Sequence, residues 1–272
     1  MRRLLQLGAG AALLLLAAGA RADALADLKT ALARTAVQAP LRAAIESQTW
    51  RKLGEGADAD EDSGQASVLA EDGPRGLSLT HAREMVARME RELQARARNP
   101  NSKTPTMAAL EEMGPHDVLA LTCASAALSR ARTGRVQGRA RRYLAGQAGA
   151  RAQLRDAGLH PQRPRTQVRE KFSSLLDVWI APDGTPLASR ARVSATGRAF
   201  IVIGFAFGSE EDSVFGVADE RLVTLRKETR THFSGPGRAR RAQSRHDPAA
   251  EELRPGRTVV TARQCSKKYH WR

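Results

Sequence analysis

Aromatic side chains are scarce in this 272-residue chain, at 4%. That is a thin supply for a large close-packed core. Cysteine is nearly absent: Cys123 and Cys265 stand far apart, so a disulfide-dense scaffold is excluded. The two either pair in an oxidising compartment or are unrelated thiols. The six histidines are His81, His116, His160, His232, His246 and His270. None stands at metal-ligand spacing from another histidine or from a cysteine, so no metal is expected. No G-x-S-x-G elbow surrounds Ser213 or any other serine. No phosphate or dinucleotide loop occurs, and Gly8-Ala9-Gly10 lies in an apolar leader. These gaps in the catalytic repertoire lead to the expectation of a protein that is not an enzyme and holds no cofactor. After the leader, no segment is long and apolar enough to cross a bilayer.

The leader is the clearest signal present. Met1-Arg2-Arg3 is followed by an apolar stretch from Leu4 to about Ala20, and Ala20-Arg21-Ala22 supplies a small-x-small site. The pattern is that of a secretory signal peptide over residues 1–22, cleaved before Asp23. The stretch is interrupted by Gly8 and Gly10 and falls short of the roughly 20 apolar residues of a permanent span. No cysteine follows it, so lipid modification of the new N-terminus is not expected. The mature chain is expected to be periplasmic or secreted.

The net charge of +15 is local. Residues 130–171 hold 12 basic and 2 acidic residues, and residues 237–272 hold 10 and 3. With Arg2, Arg3 and Arg21 set aside as well, the remainder is net acidic. An exported protein rarely meets nucleic acid, so nucleic acid is not an expected partner. The Arg-Ala-Arg-Arg runs from Arg139 and from Arg238 leave an anionic membrane surface as a possible partner.

Along residues 23–120 the pattern predicts a helix, a hairpin and further helices. Leu25, Leu28, Leu32, Leu41 and Ile45 recur near helical spacing over Asp23–Glu46, with Pro40 as a kink. A strand is predicted from Trp50, then a solvated acidic loop over 58–62, then a hairpin of 65–70 with 76–79. A helix over about 81–97, capped by Thr80, carries Met85, Val86, Met89 and Leu93. Thr104-Pro105 opens a short helix.

Residues 172–234 read as an antiparallel meander of five short strands. Leu176, Val178 and Ile180 alternate with Leu175, Asp177 and Trp179, and Pro182-Asp183-Gly184-Thr185 is a turn. The strand around Ile201 is apolar on both faces, and Glu210-Glu211-Asp212 reads as a solvated turn. The expected fold class is α+β, an antiparallel meander, flat or curved into a half-barrel, packed against N-terminal and central helices. Residues 235–272 read as a disordered basic tail.

Residues 121–171 are anomalous. From Arg130 to Lys171 the stretch is built of Arg, Ala, Gly, Gln and Pro without a sustained period. It reads either as a disordered basic linker or as the product of a shifted reading frame in GC-rich coding DNA. Back-translation one base along permits W-Q-G across Leu144–Gln147 and a strand-like string from there to Lys171. The same shift across Leu119–Leu128 permits a helix.

Trp50, the run Ser63-Gly64-Gln65-Ala66-Ser67-Val68 and the run from Leu176 to Arg190 together resemble a group of uncharacterised exported proteins of Gram-negative bacteria. The shifted middle would supply their W-Q-G-K-P-A-R and R-K-Y-V. No activity or site residue is carried over from that resemblance. The order of helices and antiparallel strands is similar, more distantly, to periplasmic lipoprotein carriers of the Lol type. That likeness implies a curved half-barrel around helices, with acyl chains held in its apolar hollow. The expected function is an exported binding or carrier protein for an apolar or lipid-like ligand. The alternative is an envelope-associated structural or interaction protein resting on anionic lipid. The candidate lining is Trp179, Ile201, Ile203, Phe205 and Phe207, which would otherwise be ordinary core.

Overall fold

The computed structural model describes residues 24–36, 39–56, 58–131, 135–136, 150–156, 171–199, 203–235 and 238–249. The signal-peptide assignment, with Ala20, Ala22 and Asp23, lies outside these residues, as do Cys265 and Ile201. The fold is α+β, an open antiparallel sheet that curves without closing.

Helix α1 covers residues 24–34, followed by strands β1 (Leu41–Leu53), β2 (Asp60–Gly73) and β3 (Gly76–Thr80). Helices α2 (Arg83–Arg98), α3 (Pro105–Glu111), α4 (Pro115–Thr122) and α5 (Ala124–Ala131) come next. Strands β4 (Arg135–Val136), β5 (Ala150–Asp156), β6 (Lys171–Ile180), β7 (Pro186–Ala199), β8 (Ile203–Ala218), β9 (Arg221–Gly235) and β10 (Arg238–Ala249) complete the described chain. Strand order in the sheet is β3-β2-β1-β10-β9-β8-β7-β6-β5-β4.

Several expectations are corrected. The N-terminal helix stops well before Glu46. Leu41 and Ile45 stand four apart, a spacing that also keeps two residues on one face of a strand. Past Pro40 the buried residues Ile45, Ser47 and Thr49 follow the period of two. The acidic residues 60–62 belong to β2, opposite Leu53–Arg51. Thr80 does not cap α2, whose N-cap is Ala82. The stretch 115–131 is helical as written, with Val118, Leu121 and Leu128 buried. Part of the anomalous middle, residues 150–156, pairs with β6, because backbone bonding to a free sheet edge requires no apolar pattern. Residues 137–149 and 157–170 lie outside the described residues.

The meander is confirmed as consecutive antiparallel strands, but Gly208–Ser213 continue β8 rather than turn. Glu210 and Asp212 lie opposite Arg192 and Arg190, while Glu211 pairs with Lys227 at 3.0 Å. Cross-strand neutralisation keeps the charged run extended. The ladder spreads over the outer face of the sheet, from Asp177 and Arg190 through Asp212, Glu228 and Arg245 to Asp247. The hydrogen bond from Arg190 to Asp212 raises the guanidinium above its ordinary pKa.

The tail is corrected most sharply. Residues 238–249 are not disordered but form β10, inside the sheet between β1 and β9. Ser244 and His246 are buried there.

The helices pack on the opposite, inner face in two apolar clusters. Leu28 and Leu32 of α1 and Leu128 of α5 meet Val178, Ile180, Phe215 and Leu222. Met85, Met113, Val118 and Leu121 meet Ile45 and Val68. The turn after β6 fixes α1: Gly184 has φ +83, and a Cβ on it would sit 2.3 Å from the Asp27 carbonyl oxygen. Thr185 donates its backbone N–H and its hydroxyl to Asp183, which with Arg34 holds that carboxyl below the usual range. A buried arginine joins distant segments at this end. Arg221 donates to the carbonyls of Thr122 and Ala39 and to Asp72, and lies 2.6 Å from the Cys123 sulfur.

Candidate ligand-binding site

Alternation in β8 places Phe205 and Phe207 on one face of the strand. The register identifies which face. Ser213, of the same parity, is buried beneath the α4–α5 pair, so Phe205 and Phe207 belong to the inner face. Phe207 lies opposite Ala195 on β7 and Phe233 on β9. Ala195 lies opposite Phe172 on β6, Phe233 opposite Arg240 on β10, and Arg240 opposite Leu53 on β1. One row of the sheet therefore reads Phe172, Ala195, Phe207, Phe233, Arg240, Leu53.

Several large side chains of this row are exposed. Phe172 is 55% exposed, Leu53 52% and Phe233 40%, while Phe205 and Phe207 are half-buried. Large apolar side chains adjacent on one surface are uncommon unless the surface is used. Ala195 and Gly197 on β7, opposite Phe207 and Phe205, keep the floor between the rings low.

The candidate lining divides. Phe205 and Phe207 stand together as expected. Ile203 opens the same strand at the same parity. Ile201 lies outside the described residues. Trp179 is corrected: its partner on β7 is Ala188, which pairs with Val214, and this row belongs to the outer face. Its odd position beside Leu175 and Asp177 was the available signal. Phe172 and Phe233 were missed. Each is a lone aromatic in a polar stretch, and only strand register brings them to Phe207.

Under the helices the inner face closes to a hollow of about 120 Å³, lined by Leu121, Leu128, Leu176 and Phe215, with Glu211 and Lys227 on its rim. Pockets that enclose a drug-sized ligand measure roughly 300–1,000 Å³. The hollow alone is too small for one; the phenylalanine row offers a further apolar surface on the same face. A groove of about 820 Å³ lies at the opposite end of the strands, beside Pro40, Arg42, Asp72 and Leu77. Its walls include charged groups already engaged, Arg42 with Glu71 and Asp72 with Arg221.

His246 is buried between β1, β9 and the α3–α4 connection, where its Nε2 donates to the Glu112 carbonyl at 3.1 Å. Burial, with Lys227 nearby, lowers its pKa. Among the described residues no three of His, Cys, Asp and Glu are placed to hold a metal ion, and no helix is long and apolar enough to cross a membrane. Comparison with family models, curated proteins and solved structures finds no match to this chain.

Proposed function

We infer that this protein is an exported, non-enzymatic binding or carrier protein, and that the inner-face phenylalanine row receives an apolar or lipid-like ligand. The observation that carries this reading is the row itself. Phe172, Phe207 and Phe233 share one row on the face that packs helices elsewhere, and there Phe172 and Phe233 are exposed while Phe207 is half-buried. A chain-like ligand laid on this face would lose contact with water along its length. It would extend toward the small hollow beneath α4 and α5, where the pair Glu211–Lys227 could meet a polar group.

The test is titration of the purified protein with an environment-sensitive naphthylamine dye, followed by displacement with a long-chain fatty acid. The dye is expected to brighten and the fatty acid to displace it. Burying one large apolar side chain is worth about 1.5–3 kcal/mol, so Phe207→Asp and Phe233→Asp should each weaken binding about tenfold to hundredfold. Leu93 on α2 is equally exposed, at 47%, but lies away from the row, and Leu93→Asp should bind normally. Equal loss in all three variants, or no dye binding by the parent protein, would rule out this site.

A further inference from the structure

Charge is segregated along the strands. Toward the end of the sheet that carries α1 and the Asp219–Glu220 turn, β6–β10 hold Asp177, Glu210, Glu211, Asp212, Glu228 and Asp247. Each of these is in an ion pair. The opposite end of these five strands has no acidic residue among the described residues: 171–176, 193–199, 203–209, 231–235 and 239–242 contain neither Asp nor Glu. That end does contain Lys171, Arg198, Arg240 and Arg241, all exposed and without an ion pair among the described residues.

The register gathers them. Lys171 lies opposite Thr196, Arg198 opposite Gly204, and Arg241 opposite His232, which pairs with Gly208. All four therefore fall within a few residues of Phe207 along the strands. Arg240 is on the inner face with the phenylalanines, and the other three are on the outer face. Five strands at about 4.8 Å spacing make this rim roughly 19 Å wide. Among the described residues these cations, without an ion pair, flank exposed aromatic rings on strands that bring no carboxylate to this end. The nearest carboxylates are on the β1–β2 hairpin beside β10, where Asp60 pairs with Lys103 and Glu61 with Lys52.

We propose that this acid-free end of β6–β10 docks end-on against an anionic lipid bilayer. The cations sit at the headgroups, and Phe172 and Phe233 enter the interface. Such surfaces attract cations within a Debye length, and apolar side chains add a salt-insensitive component. Docking does not depend on the ligand-binding reading. If that reading holds, the orientation opens the phenylalanine row to the membrane, so a lipid-like ligand could pass between bilayer and sheet without crossing water.

The experiment is co-sedimentation of the purified protein with vesicles of phosphatidylcholine alone or mixed with phosphatidylglycerol, at low and high salt. Binding is expected on the anionic vesicles at low salt, with a marked loss on neutral vesicles and at high salt. The variant Lys171→Glu/Arg198→Glu/Arg240→Glu/Arg241→Glu should lower partitioning by more than about tenfold. A matched variant, Arg75→Glu/Arg83→Glu/Arg88→Glu/Arg91→Glu, changes net charge equally on the β2–β3 turn and α2, and should retain most of the binding. Circular dichroism of both variants checks that each is folded. If the sheet-end variant misfolds, Phe172→Ser/Phe233→Ser is the replacement, expected to weaken binding while leaving its salt dependence. Equal losses in the two charge variants would overturn the proposal, since net charge would then suffice. So would binding to DNA but not to anionic vesicles. Dye binding without vesicle binding would overturn docking and leave the ligand reading intact, and the converse would do the opposite.

Discussion

His246 illustrates how one side chain in a strongly basic stretch becomes part of a packed interior. Its strand neighbours are Arg245 and Asp247, which pair with each other on the outer face, so alternation turns the imidazole inward. There it donates from Nε2 to the Glu112 carbonyl, and burial favours the neutral ring. Lys227 opposes protonation as well, while Glu112 and Asp117 act weakly the other way. The sign follows from linkage. The unfolded state, with an ordinary histidine pKa near 6.5, binds the proton more readily than the folded state. The stability contributed by the neutral ring is complete above that value and is lost as pH falls through the lowered folded value. Thermal unfolding followed between about pH 5 and pH 7.5 should therefore show a midpoint that rises with pH. His246→Gln, which keeps a donor for Glu112 but does not titrate, should flatten that rise. An unchanged slope in the variant would show that other groups set it.

Among the elements, the seat of α3 depends on one missing side chain. Gly64 lies on the inner face of β2, and a Cβ there would come within 2.0 Å of the Pro105 carbonyl oxygen. The first turn of α3 is also held by Glu92 of α2, whose carboxylate accepts from the backbone N–H groups of Thr106 and Met107, a favourable partner for a helix N-terminus. Gly64→Ala should thus force α3 from its place at a cost of about 1–3 kcal/mol, typical of overpacking. A chemical-denaturation midpoint checks this, and an unchanged midpoint would mean that the backbone adjusts freely. Gly64 was legible as an interruption in a strand, the usual mark of close backbone approach. Other elements were legible in the same local way, including α2, the hairpin of β2 and β3, and the turn at Gly184. The errors arose where two periods coincide, as at Leu41 and Ile45, or where inward positions are polar. Strand β10 has only Ala242, Ser244 and His246 facing inward over its middle, so no alternation of large apolar residues marks it. The same cause hid half of the phenylalanine row: Phe205 and Phe207 share a strand, but Phe172 and Phe233 reach them only through pairing with distant residues.

At the scale of the molecule, β10 joins two sheet segments that local pattern cannot connect. β1–β3 come from the first part of the chain and β4–β9 from the later part, and in the observed strand order only β10 lies between them. Its pairing with β1 reaches from Ala44 to Ala249, a long-range closure that carries a large entropic cost before any contact offsets it. The helices and Arg221 also bridge the two parts, but they cover faces and ends and do not replace a ladder. A chain ending at Gly235 would lose Ser244 and His246 from the interior and expose the long edges of β1 and β9, each an invitation to pair with another molecule. Such a chain should lack a cooperative thermal transition and associate in solution. A chain ending at Ala249 keeps every described strand and should unfold cooperatively as a discrete species. Circular dichroism melting with size-exclusion chromatography on the two truncations separates the possibilities. If the chain ending at Gly235 melts as cooperatively as the longer one, residues 238–249 are not a structural strand, and the basic end they help to form loses Arg240 and Arg241 as fixed members.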